Sequence, residues 1–165
     1  MKAEKLFLFL AVIILAGSAA FANQGGSAGK VSAQLNVSCD GEEQLEVKLK
    51  AVEVNNGVRG KGYFRCLPEQ GGRIYAKVVY VTVDGDYAWV AGECTDSDTD
   101  MEGRWFFLVA HDGGKPGQDV DHIWWDWLAD SDDDEEIARK KVENLQTPSN
   151  NRPIESGDIE VKDEG

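Results

Sequence analysis

Residues 73–95 read RIYAKVVYVTVDGDYAWVAGECT, and this stretch decides the fold class. Two runs rich in valine, alanine and aromatic residues flank Asp84-Gly85, a pair that tolerates positive φ at both central positions of a type I′ turn. The stretch therefore predicts a β-hairpin. Asn56-Gly57 lies between two similar runs and predicts a second hairpin by the same reasoning.

Alternation of apolar and polar residues extends the β pattern in both directions from this hairpin. A period of two places the apolar side chains on one face of a strand and the polar side chains on the other. The pattern predicts eight strands, at about 30–38, 44–54, 58–67, 73–83, 86–95, 104–111, 120–128 and 158–162. Because most connections are short, we expect an all-β antiparallel meander that forms a sandwich or a small barrel.

One short helix is predicted near the C-terminus, over about 133–145, because Ala138, Val142 and Leu145 are spaced i, i+4 and i+7. Acidic residues fill its first turn and basic residues follow, which suits the helix dipole. The strands at about 73–83 and 104–110 carry apolar residues on both faces, so both faces of each strand must be covered. A second sheet together with the helix, or a partner chain, would provide that cover.

The chain has 165 residues with 17 Lys and Arg against 30 Asp and Glu, a formal charge of −13. That length predicts one domain. A charge this negative argues against nucleic acid or an anionic membrane as the main partner, because such a binder must neutralise phosphates rather than repel them.

The N-terminal residues have the organisation of a secretory signal peptide. Lys2 and Lys5 are followed by the apolar run LFLFLAVIILA at 6–16 and by Ala20-Phe21-Ala22, a cleavage signal of small residues. A membrane-spanning helix needs roughly 20 apolar residues, so we predict a signal peptide over 1–22 rather than an anchor. Residues 23–30 would form a flexible lead-in, and 31–165 a single β-rich domain. That domain would be secreted or periplasmic and make no membrane contact.

The three cysteines would enter an oxidising compartment, where disulfides form. In the predicted meander, Cys39 and Cys66 lie at the ends of neighbouring strands. Cys66 and Cys94 are separated by a whole strand, roughly 10 Å, which is beyond the reach of a disulfide in a flat sheet. We therefore predict a Cys39–Cys66 disulfide and a free Cys94.

Two acid-rich stretches, 96–102 and 130–136, fall at the same pole of the predicted meander. Clustered carboxylates suit Ca²⁺, a hard cation that takes oxygen ligands. The candidate ligands are Asp96, Asp98, Asp100, Asp130, Asp132 and Asp134. Neither stretch completes an EF-hand, because the bidentate glutamate is missing at its last position. A solvated acidic surface that binds no metal explains the same residues, and both interpretations stay open.

Tryptophans cluster on the strand at 120–128. Alternation places Trp125 and Trp127 on one face, which is most simply core. His122, Trp124 and Asp126 share the other face, and we predict that they contact a ligand, because exposed aromatic rings stack on sugars or line pockets. Core packing, or packing between copies of the chain in a homo-oligomer, is the alternative.

Three motifs resemble the post-COAP kind of secreted bacterial domain, whose role is unknown. They are VDGDYAWVAG at 83–92, VAHDGGKPG at 109–117 and PIESGDIEV at 153–161. Domains of that kind show a V-x-G-N-x-A hairpin, a D-x-G-E-P-G loop and a terminal S-G-N-I-x-V strand. The resemblance covers about residues 58–165. It implies an all-β extracytoplasmic domain and supplies no catalytic residue.

These observations predict a secreted or periplasmic, non-catalytic binding domain for a small ligand, a glycan or a protein partner. The alternative is a structural module of the cell envelope or surface that is stabilised by Ca²⁺. A hydrolase that uses carboxylates or His122 is the third hypothesis. The G-x-S-x-G letters at 25–29 do not support it, because that motif needs a strand before it and a helix after it. No cofactor other than Ca²⁺ is expected.

Overall fold

The computed structural model of the protein describes residues 29–38, 44–54, 57–67, 72–114, 120–128, 134–147 and 152–163. The predicted signal peptide and residues 23–28 of the predicted lead-in lie outside these ranges. The last two residues of that lead-in, Gly29 and Lys30, already belong to the first strand.

The described residues form one helix and nine strands, two of which come after the helix. In chain order they are β1 (Gly29–Ser38), β2 (Gln44–Val54), β3 (Gly57–Leu67), β4 (Arg73–Asp84), β5 (Tyr87–Ser97), β6 (Trp105–His111), β7 (His122–Trp127), α1 (Asp134–Glu143), β8 (Arg152–Pro153) and β9 (Ser156–Asp163). The predicted all-β class with a short helix near the C-terminus is confirmed. The two-residue strand β8 was not predicted.

All the strands lie in a single antiparallel sheet, in the order β8-β7-β6-β5-β4-β3-β2-β1-β9. The seven strands β1 to β7 are consecutive neighbours, which confirms the meander. β9 returns to pair with β1, so the two ends of the described chain meet. The sheet is curled, because β9 also contacts β4 and β6, which are distant in the strand order. The curl is that of a half-barrel rather than of two stacked sheets.

The hairpin between β4 and β5 forms as predicted, but its turn is shifted by one residue. Asp84 pairs with Tyr87, so the two central residues are Gly85 and Asp86 rather than Asp84 and Gly85. Gly85 has φ of 57°, and Asp86 has no positive φ. Glycine therefore takes the first central position, as in a type II′ turn, instead of the type I′ turn that the Asp-Gly pair predicted.

The inner face of the curl holds the main core. Alternate residues of β1 to β7 point inward and are buried, and the largest of these side chains include Phe64, Phe106 and Leu108. Trp127 packs edge-on against Phe64 with ring centroids 5.4 Å apart. Trp125 and Trp127 both pack against this cluster, so the prediction that they face the core is confirmed.

The outer face of β5 and β6, and part of that of β4, is covered by α1. Ala138 and Val142 of the helix are buried against a second apolar cluster that includes Trp89, Trp105 and Phe107. This packing explains why β6 is apolar on both faces. Of the covers that the sequence allowed, the helix provides the outer one, and the curled sheet itself encloses the inner face.

Residues 152–156 carry the chain from one edge of the curled sheet to the other. The N–H of Ile154 donates to the carbonyl of Asp121 at 3.1 Å, and the N–H of Glu155 donates to the carbonyl of Asn36 at 2.9 Å. One of these bonds reaches the residue that precedes β7 and the other reaches β1. The segment therefore bridges the seam where the half-barrel would otherwise stay open.

Two aspartates hold the outer edge of β9. Asp121 accepts the N–H of Ile159 at 2.8 Å with one carboxylate oxygen and the N–H of Gly113 at 2.9 Å with the other. Asp112 accepts the N–H of Val161 at 3.1 Å and that of Gly114. Because alternate residues of a strand direct their N–H groups to the same edge, the two carboxylates take the place of a neighbouring strand.

Candidate functional site

The residues predicted to contact a ligand share the outer face of β7, as alternation required. The ring of His122 stacks on that of Trp124 with centroids 5.9 Å apart. Trp124 is only 7% exposed, because it belongs to the apolar cluster beneath α1. Asp126 is exposed, with Lys141 Nζ at 4.0 Å from its carboxylate. Packing, which was the alternative interpretation, therefore accounts for Trp124, and a ligand contact at His122 or Asp126 stays a prediction.

His122 belongs to a row of rings that the sequence did not reveal. Tyr87, His111 and His122 lie directly opposite one another on β5, β6 and β7. The rings of Tyr87 and His111 stack at 4.3 Å, and those of His111 and His122 are 6.1 Å apart. This row could not be predicted from the sequence, because its members are far apart in the chain and become neighbours only through the register of the strands.

The predicted calcium ligands that the structure describes do not converge. Asp96, Asp98 and Asp100 are exposed. Arg73 Nε donates to Asp98 Oδ2 at 2.7 Å, and this bond holds the pKa of the Asp98 carboxyl below its usual range. Asp134 is buried at the start of α1. Asp130 and Asp132 lie outside the described residues. Within the described ranges, no group of three or more His, Cys, Asp or Glu side chains is arranged to hold a metal ion.

Cys94 is a free thiol, as predicted, and is 1% exposed. Its sulfur lies 3.6 Å from the carbonyl of Asp96. Burial raises the pKa of the thiol, and nearby carboxylates, Glu102 among them, add to the effect. A buried thiol with a raised pKa is a poor nucleophile. The predicted disulfide lies outside the described residues, since it involves Cys39 and the side chain of Cys66.

The outer face of β2, β3 and β4 carries a set of lysines that sequence reasoning missed. Lys50 lies directly opposite Lys61, and Lys61 lies directly opposite Lys77. All three side chains are exposed. We call these three residues the lysine row. None of them forms an ion pair with a residue that the structure describes.

Two tyrosines lie beside the lysine row on the same face. Tyr63 of β3 and Tyr75 of β4 are directly opposite each other, with ring centroids 5.2 Å apart. Tyr75 is 43% exposed. Lys48 Nζ lies 5.4 Å from the centre of the Tyr63 ring and 2.6 Å from Glu46 Oε1. The Glu46 carboxylate raises the pKa of Lys48.

These side chains line an open concavity of about 1120 Å³ on the outer surface of the sheet. Its floor runs across β1, β2, β3 and β4 and includes Lys50, Lys61, Tyr63 and Tyr75. Residues of β9 form one rim, among them Asp158 and Glu160. Lys77 continues the lysine row beyond the concavity.

Alternation in the sequence indicates at most which face of its own strand a lysine occupies. It gave no indication that the three would be adjacent, because adjacency depends on the register between strands. The formal charge of −13 concealed them further, since a total hides how charge is distributed.

Comparison with known proteins finds no matching protein-family model, no matching curated protein and no matching solved structure. In the described part of the chain, no helix has the length and apolar character needed to cross a membrane.

Proposed function

We propose that this chain is a secreted or periplasmic, non-catalytic binding domain that takes its ligand in the concavity on the outer face of β1 to β4. One observation carries the proposal. The concavity is open to solvent, and its surface combines exposed Tyr75 and half-buried Tyr63 with lysines that have no ion-pair partner among the described residues. A few polar groups beside aromatic surface are what ligand sites commonly offer.

The rest of the sheet leaves less room for a ligand. Its inner face is filled by the main core, and the outer face of β5 and β6 is covered by α1. The outer face of β1 to β4 is exposed and concave, so the proposal places the ligand there. This distribution favours the concavity over the face of β7 that carries His122 and Asp126.

The location of the domain is part of the same proposal and rests on the signal-peptide pattern at 1–22. The resemblance to post-COAP domains is also a proposal. It is supported by contact between two of the three motifs. Asp112, in the motif at 109–117, accepts the N–H of Val161, in the motif at 153–161. The residues of these two motifs thus meet in one structural unit, the seam of the half-barrel.

The proposal is tested by mapping ligand contacts on the isotopically labelled protein by NMR. The probes are soluble oligosaccharides, both neutral and carboxylated. We expect amide shifts to concentrate at Lys61, Tyr63 and Tyr75, with little change between His122 and Asp126. Shifts concentrated between His122 and Asp126 would move the site to β7. The absence of any saturable shift with the whole panel would contradict binding of glycans at this face.

A pair of variants supplies an independent test of the same site. Tyr75→Ala removes an exposed ring from the concavity and is expected to weaken binding of any probe that shifts these amides. His122→Ala removes a ring at the competing face and is expected to leave that affinity unchanged. The reverse result would refute the placement of the site.

A further inference from the structure

Resting on the proposed function, we infer that the ligand of the concavity is a linear acidic polysaccharide, one of whose carboxylates is held by the lysine row. Three lysines that pair with no described carboxylate lie beside two tyrosines on one sheet face, and this juxtaposition supports the inference.

The lysine row selects an anion. Like charges directly opposite each other on neighbouring strands destabilise a sheet, and here Lys61 has a lysine on either side. The chain has 30 acidic residues against 17 basic ones, yet no described carboxylate pairs with this row. A bound anion would neutralise the three charges together and relieve their repulsion.

The charged strands around the lysine row limit the width of the ligand. Ser32 of β1 separates Lys50 from Glu160 on β9, and on the other side Lys77 lies directly opposite Glu93 of β5. The basic surface is therefore three strands wide, roughly 10 Å at the usual strand spacing. A single extended chain fits this width. A nucleic acid duplex carries phosphates on both sides of its grooves and would bring some of them against the acidic strands.

The arrangement of basic residues on β3 indicates the direction in which the polysaccharide lies. Arg59, Lys61 and Arg65 occupy alternate outward positions on this strand, and Tyr63 lies among them. The six residue steps from position 59 to position 65 span about 20 Å along the strand. A ligand that carries a carboxylate at regular intervals would therefore meet a positive group repeatedly if it lay along β3.

Tyr63 and Tyr75 favour a sugar over an acidic peptide. Tyrosine offers a flat apolar surface together with a polar hydroxyl, which suits the apolar face and hydroxyl groups of a pyranose ring. A single-stranded nucleic acid also combines stacking with negative charge. However, the Tyr63 and Tyr75 rings contact each other and are tilted by 56°, so they do not form two parallel platforms on which successive bases could stack. The acidic polysaccharide is therefore the ligand class that the surface favours.

The test compares polygalacturonate fragments with the same fragments after methyl esterification, which removes the charge and keeps the sugar. Binding is measured by isothermal titration calorimetry at low and high salt. We expect the acidic form to bind, the esterified form to bind much more weakly, and the affinity of the acidic form to fall as salt screens the lysines. Short poly-glutamate and a single-stranded oligonucleotide are titrated in parallel.

Lysine variants show which positive charges the binding affinity depends on. Lys61→Gln is expected to weaken binding about two- to five-fold, the range of an exposed ion pair. The triple variant Lys50→Gln, Lys61→Gln, Lys77→Gln is expected to weaken it roughly ten- to hundred-fold. Lys140→Gln is the matched control, because it removes one positive charge from the exposed face of α1. Removing like-charge repulsion should not unfold the triple variant, which circular dichroism verifies.

The outcomes separate the two proposals. If the esterified fragments bind as tightly as the acidic ones and still shift Tyr63 and Tyr75, the site stands and the inferred ligand class is wrong. Unchanged affinity in the triple variant overturns the role of the lysine row. Tighter binding of poly-glutamate or of the oligonucleotide overturns the choice of a polysaccharide. If none of the probes binds at the concavity, both the inference and the proposed function fail.

Discussion

Asp121 offers the sharpest test of how the half-barrel is closed. Its carboxylate accepts two backbone N–H groups, that of Ile159 at 2.8 Å and that of Gly113 at 2.9 Å. Asp121→Ala removes both acceptors. Ile159 is 2% exposed, so its N–H would be left without a partner at a site that water reaches poorly. The variant should therefore loosen β9 from the seam.

The size of the effect follows from the two bonds. An N–H that is buried without an acceptor costs about 1–3 kcal/mol, and a replaceable hydrogen bond contributes about 0.5–1.5 kcal/mol. Gly113 is half-buried, so water can partly replace its lost acceptor. We expect Asp121→Ala to lower the free energy of unfolding by about 2–4 kcal/mol. Asp121→Asn should cost less, because its amide oxygen can still accept one of the two bonds.

Urea unfolding followed by circular dichroism measures the change, and native-state hydrogen exchange locates it. The amide of Ile159 should lose protection in Asp121→Ala. Asp126→Ala serves as the control, because Asp126 is exposed and lies 4.0 Å from Lys141, so its loss should cost below about 1 kcal/mol. A fall in stability no larger than that of the control, with the Ile159 amide still protected, would refute the account of the seam.

Three further expectations concern other groups. Adding Ca²⁺ or EDTA should leave the melting temperature unchanged, because Asp98 is already bonded to Arg73; a rise with Ca²⁺ that EDTA reverses would restore the calcium-stabilised module. Cys94 should react with a thiol reagent only after unfolding, since its burial raises the pKa of the thiol; rapid reaction of the native protein would contradict this. Burial and a hydrogen bond to Glu135 raise the pKa of Tyr80 to about 12. An unfolded tyrosine ionises near pH 10, so this group should make the folded state less stable as the pH rises from about 10 to about 12. Tyr80→Phe should lose less stability across that interval in pH-dependent unfolding, and an equal loss would argue against the assignment.

The predicted site on β7 combines a feature that local sequence patterns predict with one that they do not. Alternation correctly placed His122, Trp124 and Asp126 on one face of β7, because that face depends only on the period of a strand. The burial of Trp124 depends on an apolar cluster that forms only when α1 docks on the sheet. That docking is a long-range contact, and the amphipathic pattern of the helix does not say which surface it covers.

The turn between β4 and β5 was also predicted only in part from the local sequence. The Asp-Gly pair predicted a hairpin, and the hairpin is present. The pair did not fix which two residues are central, because glycine satisfies a positive φ in either turn type. The pairing of Asp84 with Tyr87 settled it.

By itself, the sequence predicted all the strands that the structure describes except β8, together with the helix, the order of the meander and the free thiol of Cys94. Each of these follows from local alternation, turn residues or the spacing of neighbouring strands. Only the tertiary structure decided the pairing of β9 with β1, the closure of the seam by Asp112 and Asp121, and the assembly of Lys50, Lys61 and Lys77 into one row. These features depend on which strands become neighbours and in what register. The strand neighbours and their register are set by burial of the whole core, so they cannot be predicted from any short segment of the chain.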